Sequence, residues 1–568
     1  MSINHSSSLL SSDWLSCSLI GLIGVSVMVQ VYLSRRGSIP LHPILLGRQS
    51  DMSPVRRQSE SPTVTSSASM FGMLPVSPDR SIGSLLDLVM ALRGKLRKAD
   101  GQSVLPEGRS FQLLIVQARV RLWSILAESQ PSKDQKDPSL LILCADQELQ
   151  LVLTLAAATL PIVTVVGSPN RSGTIPIGVR VAYQKYLSDV STVILDRVIQ
   201  SEVEESLGVD SKVKVFNVHQ LSDWFQSHDS EKSLAPGNIN GQGNQTKILM
   251  ISQLNRSQVN LRLLSSQTFE ITLVLIFLYL HFEQNQDDEK RSIREFGFSP
   301  DQLLAGVTAS LSLFPAISPL KSEDLVALEM EDHSNWGYQI SLAAAAAYAG
   351  SDVCFFKEIK NVTDLEPTVL VLSTKTTLEL AKKVLECSKR SITAKISMAY
   401  RLGSLHNGSL IGPISQATAW VGTRARAIFT QGPISQSYAN LLCAGIGTSL
   451  QRIFSHPLSA GPILASQAFD FQTLQRPRSA IHHGPPTVNV ECKVVGVPEP
   501  AIVNSDAVKG ELFIRGPTVA KEVYDESNSD NLIDEIKEAE GFLRVEEVVE
   551  LLPNGTFRMN LDSPSWDY

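Results

Sequence analysis

From Leu140 onward, short apolar runs alternate with longer helical stretches, and this alternation constrains the fold most. Leu140 to Cys144 and Ile162 to Val166 have the length of strands, and Asp146 to Leu160 between them has the pattern of a helix. Strands that alternate with helices form parallel sheets with helices packed on their faces. Ala343 to Ala347, a run of five alanines, suits a helix packed closely on a sheet. The sequence predicts an α/β domain over residues 101–484, with mainly parallel sheets flanked by helices.

After about Pro485 the pattern changes to short strand-like runs separated by Gly and Pro. Val488 to Val497, Gly510 to Arg515 and Val545 to Leu552 are three such runs. Gly and Pro mark turns between strands. We therefore expect a smaller β subdomain over residues 485–568.

An apolar run near the N-terminus predicts a membrane anchor. Leu15 to Leu33 holds nineteen residues without a charge, close to the ~20 residues that a membrane-spanning helix needs. Arg35 and Arg36 follow it, and Asp13 precedes it, so the positive-inside rule places the main domain in the cytosol. The alternative is a buried core helix. We expect an anchor over residues 1–36, a flexible tether over residues 37–100, and localisation to the endoplasmic reticulum or the peroxisome.

Length, charge and cysteines narrow the class of protein. The chain has 568 residues, a formal net charge of −7 and six cysteines. This length indicates two or three domains. Nucleic-acid binders usually carry a basic patch, so the acidic balance predicts no nucleic-acid partner. The cysteines are scattered without a CxxC pair, which argues against a disulfide framework or a zinc site.

Three segments near the C-terminus carry a resemblance to a known family. Gly510 to Pro517 (GELFIRGP) is followed by Val519 and Tyr524, then by Glu540 to Arg544 (EGFLR) and Leu552 to Arg558 (LPNGTFR). In order and spacing they resemble the GELxxRGPxVxxGYY, DGWxxTGD and LPNGTLRI segments of long-chain acyl-CoA synthetases, which are AMP-binding, adenylate-forming enzymes. The resemblance implies the N-terminal domain of that fold followed by a small β subdomain.

A weaker resemblance extends upstream, so that the whole covers roughly Leu140 to Asp562. Gly422 to Leu458 is similar in pattern to the family segment between the SGAAPLS turn and the YGxTE motif, with Thr430 to Ser435 at the turn. His333 and the later Tyr348 to Gly350 resemble the PLAH…YAG region. The family joins a carboxylate to AMP and then transfers the acyl group to coenzyme A.

The phosphate-binding loop of the family has no counterpart in this sequence. A polyanion is approached by backbone N–H groups where side chains are absent, so such loops are rich in glycine. Here the strand candidate Ile248 to Ile251 is followed by Ser252 to Leu261, and no glycine occurs from Asn244 to Phe296. Arg256 and Arg262 supply charge without such a loop.

The motif that carries the adenine platform and the magnesium ligand is also altered. The resemblance aligns the aromatic–Gly–x–Thr–Glu motif with residues 454–458, which assigns adenine stacking to Phe454. Pro457 and Leu458 stand where the family has Thr and the metal-binding Glu, and Mg²⁺ prefers oxygen ligands. No acidic residue lies between Gly447 and Phe469.

The remaining family features are a ribose-binding acid and a C-terminal lid. Glu547 takes the place of the ribose-binding Asp by resemblance, and the chain ends at Tyr568, near the family's hinge. We therefore expect the lid and its lysine to be missing. The resemblance assigns two cofactor-binding residues, Phe454 for adenine stacking and Glu547 for the ribose, and no catalytic or metal-binding residue is assigned.

Three functions stay open at this point. The first is a membrane-anchored relative of fatty-acyl-CoA ligases that has lost catalysis and binds a fatty acid, an acyl-CoA or a protein partner. The second is an active ligase with divergent motifs, which alone would require ATP, Mg²⁺ and coenzyme A. The third is a non-catalytic interaction scaffold. Loss of several catalytic groups together favours the first, with no cofactor expected.

Overall fold

The computed structural model describes residues 14, 16–26, 49–67, 76–99, 105–128, 139–144, 146–160, 162–167, 192–195, 214–217, 225, 247–254, 275–278, 292–315, 318–329, 336–414, 416–468, 470, 480–496, 507–520, 522–525 and 540–560. Helices and strands alternate through the middle of the chain, and among the residues described after Gln436–Ile446 the regular elements are strands. This order agrees with an α/β fold that ends in a β-rich portion.

The strands and helices are numbered in chain order. The strands are β1 (Ser50–Met52), β2 (Val64–Ser66), β3 (Leu96–Lys98), β4 (Ser139–Leu143), β5 (Val163–Gly167), β6 (Thr192–Leu195), β7 (Lys214–Asn217), β8 (Lys247–Leu254), β9 (Leu275–Leu278), β10 (Ser292–Phe298), β11 (Leu325–Glu329), β12 (Asp352–Phe356), β13 (Val369–Ser373), β14 (Ala427–Gln431), β15 (Ser449–Phe454), β16 (Leu464–Ala465), β17 (Ala480–Gly484), β18 (Glu491–Val495), β19 (Val508–Arg515), β20 (Glu522–Asp525), β21 (Leu543–Leu551) and β22 (Phe557–Asn560). The α-helices are α1 (Leu85–Ala91), α2 (Phe111–Glu128), α3 (Gln147–Ala157), α4 (Pro300–Leu311), α5 (Trp336–Ala349), α6 (Thr374–Lys389), α7 (Ile392–His406), α8 (Thr418–Val421) and α9 (Gln436–Ile446).

The strands form three sheets. The parallel sheet has the order β16-β15-β14-β13-β11-β12-β3, and only β16 runs antiparallel to its neighbour. The mixed sheet has the order β20-β10-β8-β5-β4-β6-β7, with β9 paired to β5. The antiparallel sheet has the order β1-β2-β18-β19-β21-β22-β17. Two sheets with parallel cores and one antiparallel sheet are the layers that the sequence pattern indicates.

The predicted strands and helices at the start of the α/β pattern are confirmed. Strands β4 and β5 and helix α3 lie where the apolar runs predict them, and the Asp146 side chain caps α3 by accepting from the Leu149 N–H at 3.1 Å. This is the usual role of an aspartate before the first helical turn.

The alanine run lies inside helix α5, and residues 336–347 of that helix are all buried. Small side chains allow close packing against helix α4, where a Cβ added to Gly306 would lie 2.5 Å from the Ser341 Oγ and from the Ala460 carbonyl oxygen. The predicted helix is therefore confirmed, and the close approach shown here is to helix α4, where the space available requires Gly306.

The structure differs from the flexible tether predicted over residues 37–100. The described part of that range includes β1 and β2 in the antiparallel sheet, helix α1, and β3 at the edge of the parallel sheet. Val64 is fully buried and pairs with Cys492, more than four hundred residues later. The Ser- and Pro-rich composition concealed these strands because their partners are distant in sequence.

The predicted membrane segment is described only in part. Residues 16–26 are helical, and their large apolar side chains are exposed, as with Leu19 at 61% and Ile23 at 54%. In the portion of the chain that the structure describes, no helix has both the length and the apolar character needed to cross a membrane. Residues 27–33 lie outside the described residues, so the anchor stays a prediction.

Candidate functional site

The direction of the connections in the parallel sheet locates the candidate site. Strand β11 lies between β12 and β13. The chain moves from β11 to β12 on one side, then crosses to β13, β14 and β15 on the other. In open α/β sheets, ligands bind outside the carboxyl ends of the strands where the order reverses in this way. We call this region, formed by the ends of β11, β13, β14 and β15, the switch edge.

A buried carboxylate occupies the first position of the switch edge. Glu329 ends β11, is 4% exposed, and accepts hydrogen bonds from the Ser373 N–H at 2.7 Å, the Ser373 hydroxyl at 3.1 Å and the Thr376 hydroxyl at 2.5 Å. Ser373 is also the N-cap of α6. A helix N-terminus favours negative charge. Here an internal anion already fills that position.

The turn after β14 closes against the same helix. The Thr374 hydroxyl donates to the Gln431 carbonyl at 2.9 Å, and Gly432 has a φ of +99°. A Cβ on Gly432 would lie 2.6 Å from the Thr374 Oγ1, so both the backbone and the space require glycine. The Gln339 amide of α5 lies 3.5 Å from the Gln431 Oε1. This turn, which resembles the SGAAPLS turn, is tied to α6 and α5.

A polar cluster lies beneath the end of β15. Arg452 is 1% exposed, and its guanidinium donates to the Gln436 Oε1 and lies 3.8 Å from the Asp470 Oδ2. Burial lowers the pKa of Arg452, and the Asp470 charge opposes that shift. A charge taken out of water in this way needs an opposite charge nearby. Sequence reasoning missed Arg452 and Asp470, because neither lies in a recognised motif.

His482 connects this cluster to the antiparallel sheet. Its Nδ1 lies 2.7 Å from the Asp470 Oδ2, and its Nε2 lies 3.0 Å from the Thr556 Oγ1. An aspartate, a histidine and a hydroxyl in this order occur in hydrolytic triads. The Thr556 side chain, however, is fully buried and donates to the Asn554 Oδ1 at 2.7 Å. The contacts therefore connect strand β17 to Asp470 and to the turn before β22, and the buried Thr556 is not an accessible nucleophile.

The next residue, His483, is a neutral core histidine. It is fully buried, and its two ring nitrogens have no hydrogen-bond partner among the described residues. Burial lowers its pKa to about 3, with the nearby charge of Arg452 acting in the same direction. His482 and His483 both lie in strand β17.

Phe454, the assigned adenine platform, is the last residue of β15 and is 4% exposed. Its ring meets His483 edge to face, with centroids 5.7 Å apart. Its carbonyl accepts from the Ile463 N–H at 2.8 Å. The ring therefore already packs on a protein side chain.

Glu547, the assigned ribose acid, lies in β21 of the antiparallel sheet and is half-buried. Phe454 and Glu547 thus belong to different sheets, and their two roles stay predictions.

The positions that the family uses for Thr and Glu are packed between sheets. Leu458 is 3% exposed, and its carbonyl accepts from the Ala520 N–H at 2.8 Å. The Ala460 N–H donates to the Thr518 carbonyl at 2.9 Å. Across the described ranges, no three His, Cys, Asp or Glu side chains form a group that could hold a metal ion. The segment after Phe454 therefore joins the parallel sheet to the connection that follows β19.

The stretch aligned with the phosphate loop begins as a strand. Residues 252–254 belong to β8, where Ser252 is opposite Arg294 and Leu254 is opposite Ser292 in β10. Residues 255–261 lie outside the described residues. The predicted strand is thus longer by three residues at its C-terminal end than the sequence indicated.

An open depression of about 320 Å³ lies at the amino ends of strands β11, β13 and β14, away from the switch edge. Arg426 lines it and binds both Asp324 oxygens, at 2.9 and 2.7 Å, as well as the Ser318 hydroxyl at 2.7 Å. Burial opposes ionisation of Asp324, but the Arg426 contact and further hydrogen bonds leave its pKa below the ordinary value. The Arg426 guanidinium is already hydrogen-bonded to Asp324 and Ser318. This depression is therefore a poor candidate for the functional site.

Comparison with known proteins gives a match at the level of structure. No protein-family model matches the sequence, and a search of the curated proteins finds no match. VinN is 12% identical, with a TM-score of 0.54 over 86% of this chain and 100% of VinN. The N-terminal domain of FACL13 from Mycobacterium tuberculosis is 10% identical, with a TM-score of 0.54 over 84% and 100%. McyG A-PCP, complexed with phenylalanyl-adenylate, is 13% identical, with a TM-score of 0.55 over 86% and 67%.

The matching structures are adenylate-forming enzymes, among them acyl-CoA synthetases and adenylation domains. At such identities a likeness demonstrates the fold and leaves the reaction open. The fold agrees with the resemblance carried by residues 510–558 of the sequence. This chain therefore has the fold of the adenylate-forming enzymes over most of its length.

Proposed function

We propose that this protein is a membrane-tethered, non-catalytic relative of the fatty-acyl-CoA ligases. The observation that carries the proposal is the packing of the switch edge, where Glu329 accepts from the N-terminus of α6 and the ring of Phe454 contacts His483. In this proposal the protein makes no acyl-adenylate. It binds a fatty acyl chain or an acyl-CoA, or acts with a protein partner.

The segment after β15 supports the loss of catalysis. Leu458 has no oxygen to offer a metal ion from its side chain, and its backbone is held by Ala520. Pro457 has neither a hydroxyl nor an N–H group. Phe454 is only 4% exposed and contacts His483, so little of its ring is open to a purine. Each change removes one contact that adenylate formation uses, and one such contact is worth about 10²–10³ in rate.

The N-terminus of α6 supports the proposal independently. Its first turn points at Glu329, so a phosphate group brought to this position would meet a carboxylate. Two anions in a buried space repel strongly because the local dielectric is low. Binding of a phosphate group at this helix N-terminus would therefore require Glu329 to move.

Calorimetry with ATP and Mg²⁺ tests the proposal. The full chain is titrated with ATP–Mg²⁺ and, separately, with AMP, and release of AMP is followed with long-chain fatty acids and coenzyme A. We expect no heat of binding and no AMP release. A fatty acyl-CoA synthetase of the same fold, such as that of Mycobacterium tuberculosis, gives the positive control. Micromolar binding of ATP, or AMP release at any chain length, would establish the active-ligase alternative instead.

The ligand class has its own test. Fatty acids and acyl-CoAs of increasing chain length are added to the full chain, and thermal unfolding is recorded. A ligand that binds only the folded state raises the midpoint with concentration. Stabilisation by acyl compounds supports the acyl-binding form of the proposal. No stabilisation by any of them would favour the interaction scaffold.

The tether is proposed on the sequence of residues 15–33 and the exposed apolar side chains of residues 16–26. Extraction of cell membranes with alkaline carbonate tests it, with a variant in which Ile20 and Ile23 are changed to Asp as the control. The intact chain should stay with the membrane, and the variant should be released. Imaging of the tagged chain against endoplasmic reticulum and peroxisome markers tests the localisation.

A further inference from the structure

Helix α7 carries an apolar stripe on its exposed face. Ile392, Ile396 and Tyr400 are spaced by four residues, and they are 75%, 64% and 60% exposed. Residues at this spacing lie on one side of a helix. The buried residues of α7 are Met398 and Leu405, which point to the opposite side. The helix therefore packs on the protein with one face and presents a second apolar face to the outside.

The surface around this stripe is basic, although the whole chain is acidic. Residues 374–408, which include α6 and α7, contain seven Lys or Arg and two Asp or Glu, whereas the whole chain has a net charge of −7. Lys389 and Lys395 are exposed on either side of Ile392 in sequence. Arg401 is half-buried and donates instead to the Gly412 and Ala444 carbonyls. Positive charge is thus concentrated next to the exposed apolar side chains.

We propose that α7 docks on an anionic membrane surface, with Ile392, Ile396 and Tyr400 inserted between the headgroups. A helix with an apolar face and basic flanks lies in the plane of the membrane interface. It binds anionic lipids through burial of the apolar side chains and through attraction between its basic residues and the headgroups. Tyr400 suits the headgroup level of the membrane because its ring is apolar and its hydroxyl is polar. Charge complementarity selects an anionic lipid surface over a neutral one. The inference is independent of catalytic inactivity and of the tether.

Hydrogen exchange of the full chain tests the docking. The chain is incubated with vesicles of phosphatidylcholine alone or with added phosphatidylserine, and peptides covering residues 392–406 are followed by mass spectrometry. We expect slower exchange of these peptides only with the anionic vesicles. Peptides covering α5 report on the fold and should not change. A tether elsewhere in the chain attaches the protein to both kinds of vesicle, so it does not produce this difference.

Two sets of variants separate the apolar and the charge contributions. Ile392→Ser, Ile396→Ser and Tyr400→Ser together should abolish the protection, whereas Val120→Ser and Trp123→Ser, which remove an exposed apolar pair from α2, should leave it unchanged. Lys389→Gln and Lys395→Gln should each lower the ratio of docked to undocked α7 about fivefold. Lys321→Gln, which changes an exposed lysine outside α6 and α7, is the matched control and should have no effect.

Three results would overturn the proposal. Exchange that stays the same with anionic vesicles would show that α7 does not dock. Equal protection on neutral vesicles would remove the charge argument. Protection that rises with protein concentration in the absence of vesicles would assign the stripe to contact with a second copy of the chain.

Discussion

The guanidinium of Arg452 faces the carboxylate of Asp470 inside the protein, with Nη2 3.8 Å from Oδ2 and side chains that are 1% and 4% exposed. Removing one member of a buried pair leaves an uncompensated charge, which costs roughly 3–5 kcal/mol. We therefore expect Asp470→Asn to lower the free energy of unfolding by about that amount, measured by urea denaturation. The double variant Arg452→Met with Asp470→Asn should recover most of the loss. A double variant as unstable as the sum of the single variants would show that the two charges do not interact.

Acid stability should depend on His483. Its pKa is lowered to about 3 by burial, whereas an exposed histidine titrates near ~6.5. Between these values the unfolded chain binds a proton that the folded chain does not. The free energy of unfolding is therefore highest above pH ~6.5 and falls as the pH is lowered, by roughly 2 kcal/mol between pH 7 and pH 5. Urea denaturation at several pH values measures it. His483→Phe should show a flatter dependence in this range, and an unchanged slope would contradict the assignment.

Glu329→Gln should destabilise the switch edge. The carboxylate accepts three hydrogen bonds from Ser373 and Thr376, and charge-assisted bonds of this kind are worth about 1.5–3 kcal/mol each in favourable cases. We expect a loss of about 2–3 kcal/mol in the free energy of unfolding. Glu366→Gln is the control because Glu366 is exposed and accepts from one hydroxyl, that of Thr423. A small effect of similar size at both positions would indicate that α6 does not depend on this anion.

Gly306→Ala and Gly403→Ala form a matched pair in two helices. A Cβ at Gly306 would lie 2.5 Å from a carbonyl oxygen, whereas at Gly403 nothing lies within 4 Å. We expect Gly306→Ala to lower stability by about 1–3 kcal/mol through overpacking. Gly403→Ala should raise it by about 0.5–1 kcal/mol, because alanine favours the helix. Thermal unfolding of both variants checks this prediction. A stabilising Gly306→Ala would mean that α4 and α5 pack less closely than described.

Much of the local structure could be predicted from the sequence. The apolar and β-branched runs before and after Asp146 predicted β4, α3 and β5 because strand and helix periodicities depend on neighbouring residues alone. The alanine run predicted a closely packed helix because small side chains allow close approach. The segment from Gly510 to Arg558 carried the resemblance, and the fold agrees with it.

Other parts required the tertiary structure because their partners are distant in sequence. Val64 pairs with Cys492, and the composition around Val64 indicated a tether. Arg452 is a core residue because Asp470 and Gln436 lie beside it in space. The sequence by itself determined which residues differ from the ligase motifs, since those motifs are local. Only the tertiary structure decided that Glu329, His483 and Ala520 fill or close the switch edge, because burial and charge pairing depend on the packing of whole sheets.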